Sequence, residues 1–193
     1  MNEIVEPLGQ KCNAVHWLQK QVVRKASSLP HDFKDLAAWE EYKGKIRRNL
    51  SGVIGIPQFP PIKNSAVRGV VQVGDAVRCE RVDVYVDDDY AIPAFVFSPL
   101  TRRDSSAPAL VWNPGWPQDK WHPSYQRFAE RMAAQGLIVL ILDHAPFGET
   151  TYRGGGMTLV MGMGQVLGIS QLALRAAETM RCREYLAGRP DVD

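Results

Sequence analysis

The feature that most constrains this chain is an unbroken apolar run, Leu137-Ile138-Val139-Leu140-Ile141-Leu142, closed by Asp143. Six residues are far too few to cross a bilayer, which takes roughly 20 in a helix. In an extended segment successive side chains point to opposite faces. With every position apolar, both faces must be covered, as in a central strand flanked by helices. A second short apolar segment, Ala109–Asn113, lies upstream. Between them, residues 124–135 put Phe128 and Met132 on one helical face, with Gly136 as a C-terminal stop. Strand, helix and strand in that order predict a parallel, right-handed βαβ unit.

The pattern around this unit is different on each side. Upstream, Val82, Val84 and Val86 alternate with Asp83, Tyr85 and Asp87; Asp88-Asp89 makes a turn, and Ala91–Ser98 runs back. That period of two predicts an antiparallel hairpin, with a further strand at about residues 67–73. Earlier still, residues 14–26 carry Val15, Leu18, Val22 and Val23 at helical spacing. Leu36, Trp39, Tyr42, Ile46 and Leu50 mark a second helix, with Asp32 as its N-cap and Gly52 and Gly55 at its end. Residues 56–63, with Pro57, Pro60 and Pro61, read as an extended connector. Downstream of Asp143, residues 144–164 read as a long glycine-rich loop. Residues 165–187 read as a last helix with Leu172, Ala176, Met180 and Leu186 inward, broken by Gly188 and Pro190. The expected organisation is a helical leading segment and connector over residues 1–66 and a partial α/β domain over residues 67–193. The expected fold class is α/β: N-terminal helices, an antiparallel hairpin, then a parallel βαβ unit.

Composition removes several functional classes. The 193 residues are 45% hydrophobic and 23% charged, enough for a real core and against global disorder. A net charge of +2 gives no footprint for nucleic acid or an anionic membrane, and neither partner is expected. Lys43, Lys45, Arg47 and Arg48 read as a solvated helix face. Cys12, Cys79 and Cys182 form neither a disulfide framework nor a CxxC metal pair, so reduced structural thiols are expected and no metal or cofactor. Residues 1–10 show no basic region leading into an apolar core, so a cytoplasmic protein is expected.

Chemistry concentrates at Val111-Trp112-Asn113-Pro114-Gly115-Trp116. A glycine directly after a buried strand lets the backbone turn sharply and expose amides, as in half of an oxyanion hole. Pro114 and Pro117 have no N–H, which leaves the Trp116 amide as the donor and Gly115 as the turn residue. An ordinary strand-ending turn is the competing reading. Trp121, His122 and His144 follow strand ends, where loops gather at the active edge of an open α/β sheet, and are candidates to line a pocket. For each histidine the alternative is a solvated loop residue. None of the nine serines lies in Gly-x-Ser-x-Gly. The nearest, Gly168-Ile169-Ser170-Gln171-Leu172, lacks the second glycine and a strand before it. Gly162-Met163-Gly164 followed by Gly168 misses the dinucleotide spacing. Asp87-Asp88-Asp89 lacks the spaced ligands of a calcium loop.

These residues resemble an α/β-hydrolase from its third strand through its oxyanion turn and first helix to its fourth strand. More narrowly, they resemble the acetyl-xylan-esterase-like and dienelactone-hydrolase-like branch. The likeness rests on Gly115-Trp116, Lys120, Tyr125-Gln126, Ala133-Ala134-Gln135-Gly136 and Asp143-His144-Ala145-Pro146-Phe147-Gly148. It extends to Trp39, Gly55-Ile56-Pro57 and Phe59-Pro60 in the leading segment, and to Arg183-Glu184-Tyr185-Leu186 and Arg189-Pro190-Asp191-Val192-Asp193 at the end. Where the family has a histidine beside the turn glycine, this chain has Trp116. The resemblance implies a serine ester hydrolase whose nucleophile strand, acid and base lie beyond Asp193, with no catalytic residue within these 193. It implies a small ester substrate such as an acetyl ester, a structural or pocket-shaping role for Asp143 in place of the triad acid, and an unpaired sheet edge at Ala109–Asn113 open to self-association. The alternative is a non-catalytic binding or pseudo-enzyme module of the same origin. A nucleotide-binding domain would rest on the glycines alone.

Overall fold

A computed structural model of the chain describes residues 14–30, 32–62, 65–101, 106–115, 119–151 and 156–193. The chain divides into two compact units, Met1–Arg48 and Asn49–Asp193. The first holds α1 (Ala14–Ser27) and most of α2 (Leu36–Ile54). Arg24 and Lys25 in the last turn of α1 suit the negative end of its dipole. The cap of α2 is Asp35, whose Oδ1 accepts the Ala38 amide at 2.8 Å. Asp32, the expected cap, lies four residues before Leu36, out of reach of the first free amides. Phe33 sits 5.2 Å from the rings of both Trp39 and Tyr42 and closes the helix start as a hydrophobic staple does.

The second unit is built on a five-stranded sheet with the order β1-β2-β3-β5-β4. Its strands are β1 (Ser65–Val73), β2 (Val77–Tyr85), β3 (Ala91–Pro99), β4 (Ala109–Trp112) and β5 (Ile138–Leu142). β1, β2 and β3 form an antiparallel meander, and β3 pairs antiparallel with β5. β4 and β5 are parallel and are joined through α3 (Pro123–Ala134), as the strand-helix-strand pattern requires. The β2–β3 connection explains the aspartate run: the Asp87 carboxylate accepts the Asp89 amide at 3.0 Å, a local turn and not a metal loop. Pro123 opens α3 and Gly136, at φ +101°, lies just past its end.

The apolar run of β5 is covered on both faces. Ile138, Leu140 and Leu142 pack with Val82, Val84, Ile92, Ala94, Val96, Cys182 and Leu186. Val139 and Ile141 pack on the other side with Val77, Cys79, Phe95, Phe97 and the α3 alanines Ala129 and Ala133. Full burial of each such side chain contributes about 1.5–3 kcal/mol. β4 is an outer strand of the sheet. On its side away from β5, Ala107 bridges in parallel to Val192, donating to the Asp191 carbonyl (3.0 Å) and accepting from the Asp193 amide (2.9 Å). Pro108 faces β5, its carbonyl accepting the Ile138 amide, so alternation turns the backbone groups of Ala109 and Val111 to the outer side.

After β5 the structure differs from the sequence expectation. Residues 144–164 contain a 3-10 turn, Gly148–Thr150, and the start of a helix, α4 (Gly156–Val166). Met157, Leu159, Val160, Met161 and Met163 carry that helix through its glycines. Gly164 has a local reason: a Cβ there would lie 2.6 Å from the Ile169 carbonyl oxygen. The last helix, α5 (Gln171–Ala187), starts at its own cap, Ser170. Ser170 Oγ accepts the Ala173 amide at 3.0 Å and donates to the Ile54 carbonyl at 2.9 Å. The serine nearest to a nucleophile motif is therefore a capping residue. Of the expected inner stripe of α5, Leu186 is buried, but over the rest of the helix the inner face lies one residue round. Ala173, Ala177, Glu178, Arg181 and Cys182 are buried, whereas Leu172 and Met180 are more than half exposed. Small side chains let the helix approach the sheet, and the buried charges have partners. Past α5, Arg189 bonds Glu80 of β2 (2.7 Å), Asp191 (2.8 Å) and the Tyr185 hydroxyl (3.1 Å), which accounts for Arg189-Pro190-Asp191 in structural terms. Among the described residues no single helix is long and apolar enough to cross a membrane.

Replacing Ser170 by alanine removes a cap and its tie to Ile54. We expect a loss of about 1 kcal/mol in urea unfolding; an unchanged midpoint and slope would contradict the assigned role.

Candidate functional site

The C-terminal ends of β4 and β5 lie side by side, because parallel strands put like ends together. This is the edge at which open α/β sheets bind ligands. Asp143 ends β5 fully buried and accepts three bonds: from the Lys120 amide (2.8 Å), from Lys120 Nζ, and from the Glu149 amide (2.9 Å). Lys120 Nζ, itself fully buried, also donates to Glu149 Oε1, while Glu149 Oε2 accepts Arg81. The ammonium group lies 5.2 Å from the Phe95 ring centroid and 5.4 Å from that of Trp121. Burial works against ionising Glu149, but the bonds and charge of Lys120, then of Arg81, outweigh it and hold its carboxyl below the usual range. Gly148 completes the arrangement. At φ +56° it takes a conformation that suits glycine, and a Cβ would lie 2.2 Å from Asp143 Oδ2.

A second buried cluster stands beside the first. His144, next after Asp143, places Nδ1 2.6 Å from Glu178 Oε2 on α5 and Nε2 3.2 Å from the Asn113 side-chain amide at the end of β4. Glu178 is fully buried and also accepts the Tyr90 hydroxyl and the Ala145 amide (3.2 Å). Burial, then the Glu178 charge, pushes the Tyr90 hydroxyl far up, so it remains a donor. The orientation of Asn113 follows from Thr179. That hydroxyl gives its proton to the Arg175 carbonyl (2.8 Å), so the Asn113 atom 3.0 Å away must be a donor, the amide nitrogen. Turned that way, Asn113 donates to both Thr179 and His144 Nε2, and His144 donates from Nδ1 to Glu178. The ring is 6% exposed. It acts as a brace between α5 and the turn after β4, not as a solvated loop histidine.

The other sequence candidates go to different places. The Gly115 amide donates to the Tyr125 hydroxyl at 2.9 Å, which fixes the turn but occupies that N–H. Trp116 lies outside the described residues. His122 is the N-cap of α3, its ring nitrogen 2.7 Å from Ser124 Oγ and accepting the Ser124 amide at 3.4 Å. Trp121 packs edge-on against Phe95, 4.7 Å between centroids, and lines a groove on the α3 face of the sheet. Thus His144 is tied to the end of β4 through Asn113, Gly115 is tied to Tyr125, whose ring lies 5.5 Å from that of His122, and Trp121 lies beside Lys120. Glu178, Tyr90, Glu149 and Arg81 were not singled out from sequence. For Glu178 the available signal was an acidic residue between Ala177 and Cys182 on an apolar helix. Among the described residues no group of three or more histidines, cysteines or acids could hold a metal.

No protein-family model matches the sequence, and no curated protein matches it. Solved structures do. One is a Bacteroides fragilis protein assigned as an acetyl xylan esterase: TM-score 0.73, 16% identity, 98% of this chain and 54% of that one. A methylesterase superposes with TM-score 0.68 at 12% identity, over 92% of this chain and 38% of that one. A glucuronoyl esterase from Solibacter usitatus gives TM-score 0.57 at 17% identity, over 83% and 51%.

The buried ion cluster makes two predictions. Lys120→Met strands Asp143 as a lone buried carboxylate and is expected to cost about 3–5 kcal/mol in chemical unfolding. Because the folded carboxyl of Glu149 titrates below its unfolded value of roughly 4.3, its contribution is complete above that pH and is lost as pH falls through the lower folded value. Glu149→Gln should flatten the acid limb of the stability profile; an unaltered limb would contradict this. The chain spans about half the length or less of the esterases it matches, and over that span it has the α/β-hydrolase fold.

Proposed function

We propose that this chain is the front portion of a serine carboxylester hydrolase acting on an acetyl or similar small ester, in the cytoplasm. It would contribute the scaffold and one side of the oxyanion site. The observation that carries the reading is the glycine turn after β4, at the C-terminal edge of a parallel β4–α3–β5 unit, in a fold shared with esterases. That turn is tied at two points, by Tyr125 on Gly115 and by His144 on Asn113. Rigid donors are what an oxyanion site needs, because they cost no reorganisation as charge develops.

The chemistry requires a serine oxygen to bond to the ester carbonyl carbon while a histidine takes the serine proton. The carbonyl electron pair moves onto oxygen, and collapse expels the alcohol, which receives that proton. On this reading the nucleophile, its base and its acid lie beyond Asp193. Since the Gly115 amide is occupied by Tyr125, the donor this chain offers the oxyanion is the Trp116 amide. The buried Glu178–His144 pair is oriented like the acid and base of a triad. Its Nε2 is spent on Asn113, so its part is to position the turn.

The purified 193-residue chain is expected to hydrolyse p-nitrophenyl acetate no faster than a heat-denatured control. Turnover by this chain that disappears in Ser170→Ala would overturn the reading, since it would make a helix cap the nucleophile.

A further inference from the structure

A helix is about 10 Å across and strands lie roughly 4.8 Å apart, so one helix covers about two strands. α3 packs on β3 and β5. The β1–β2 part of the same face is left as a groove of about 700 Å³. Cross-strand partners share a face, so Val71, Cys79 and Phe97 form one row of its floor and Gly69, Arg81 and Phe95 the next. Gly69 leaves that second row open: a Cβ there would have no atom within 4 Å. Trp121, half exposed and edge-on to Phe95, closes one end. Burial, then the charge of Glu80, pushes the Cys79 thiol up to about 12, so that wall is uncharged.

The charges near the Trp121 end do not balance. Arg68 is answered by Asp83 (2.6 Å), Arg81 by Glu149, and Lys120 by Asp143 and Glu149. Arg127, one turn into α3, uses Nε on the Pro123 carbonyl (3.3 Å), and its terminal nitrogens meet no carboxylate among the described residues. Four cations thus face three carboxylates. Glu130, the remaining charged residue of the lining, is one turn on from Arg127 in α3 and points towards Gly74, where a Cβ would lie 3.9 Å from its Oε1. We propose that this groove binds a small amphipathic monocarboxylate, its ring or chain on Phe95, Phe97 and Val71 and its carboxylate on Arg127. A concave, mainly apolar lining with a few directed polar groups is the usual build of a small-molecule site. The groove lies on the sheet face over β1, β2 and β3, and the proposal does not rest on the hydrolase reading.

Calorimetric titration of the protein with 2-naphthoate, and in parallel with the neutral 2-naphthalenemethanol, tests this. Naphthoate is expected to bind saturably with a Kd below about 1 mM, and the alcohol at least tenfold more weakly, given the worth of a charge-assisted bond. Arg127→Gln, at an exposed position, should weaken naphthoate about tenfold and leave the alcohol unchanged. Gly69→Leu, which fills open space, should abolish both while circular dichroism and Tm stay as in the parent. No saturable binding, equal binding of acid and alcohol, or binding that survives Gly69→Leu would each overturn the proposal. So would sedimentation showing a dimer that Gly69→Leu dissociates, because the groove would then be covered by a second copy.

Discussion

A fully buried ammonium group, Lys120 Nζ, is the contact on which the strand-end architecture depends. Taking a lysine charge out of water costs several kcal/mol, and attraction offsets this only when partners are close and their remaining lone pairs are used. Asp143 meets that condition with three donors, and Glu149 adds a second carboxylate shared with Arg81. Each partner comes from a different stretch: the loop before α3, the end of β5, the turn at Gly148–Thr150, and β2. The ion cluster therefore sets where the loop leaving β4 can return, and Gly148 is the backbone concession that lets the turn close over Asp143.

The neighbouring cluster at His144 works by a different rule. Here the question is which atoms donate, not how charge is balanced. Thr179, Asn113, His144, Glu178 and Tyr90 form one connected chain in which Asn113 donates both ways and Glu178 accepts from both His144 and Tyr90. Such networks are rigid when every member is satisfied. This one ends at Asn113, two residues before the glycine turn, so its rigidity is delivered where an oxyanion would need fixed donors. The two clusters are adjacent through Asp143 and His144, which makes the end of β5 the common anchor for both.

Much of the fold was legible in the sequence because it depends on period and punctuation. The five apolar residues of β5 demanded two covered faces and have them, and the alternation at Val82–Val86 predicts the hairpin. The N-terminal helices followed from their stripes. What failed had a common cause. Glycine marks a loop between residues 144 and 164 by local preference, whereas α4 tolerates it because its neighbours are apolar and Gly164 must approach Ile169 closely. On α5 pairing outweighs apolarity: Leu172 and Met180 face outward, and Glu178 is buried because His144, Tyr90 and the Ala145 amide meet it. The site was harder to read, since buried polar networks join residues far apart in sequence. Glu178 lies 34 residues from His144, and Arg81 lies 68 from Glu149. Local spacing carries no trace of such pairs, and the role of each histidine, one a cap and one a brace, is set by what the tertiary fold brings to its ring.

The central proposal is that the turn after β4 forms one side of the oxyanion site of an ester hydrolase whose nucleophile follows Asp193. The most direct measurement is to sequence the transcript through the Asp193 codon, express the whole in-frame product, and assay p-nitrophenyl acetate hydrolysis. The account predicts a Gly-x-Ser-x-Gly within about a dozen codons, after a short apolar strand, and turnover that is abolished when that serine is replaced by alanine. A stop codon directly after Asp193, or turnover that survives the serine replacement, would contradict it.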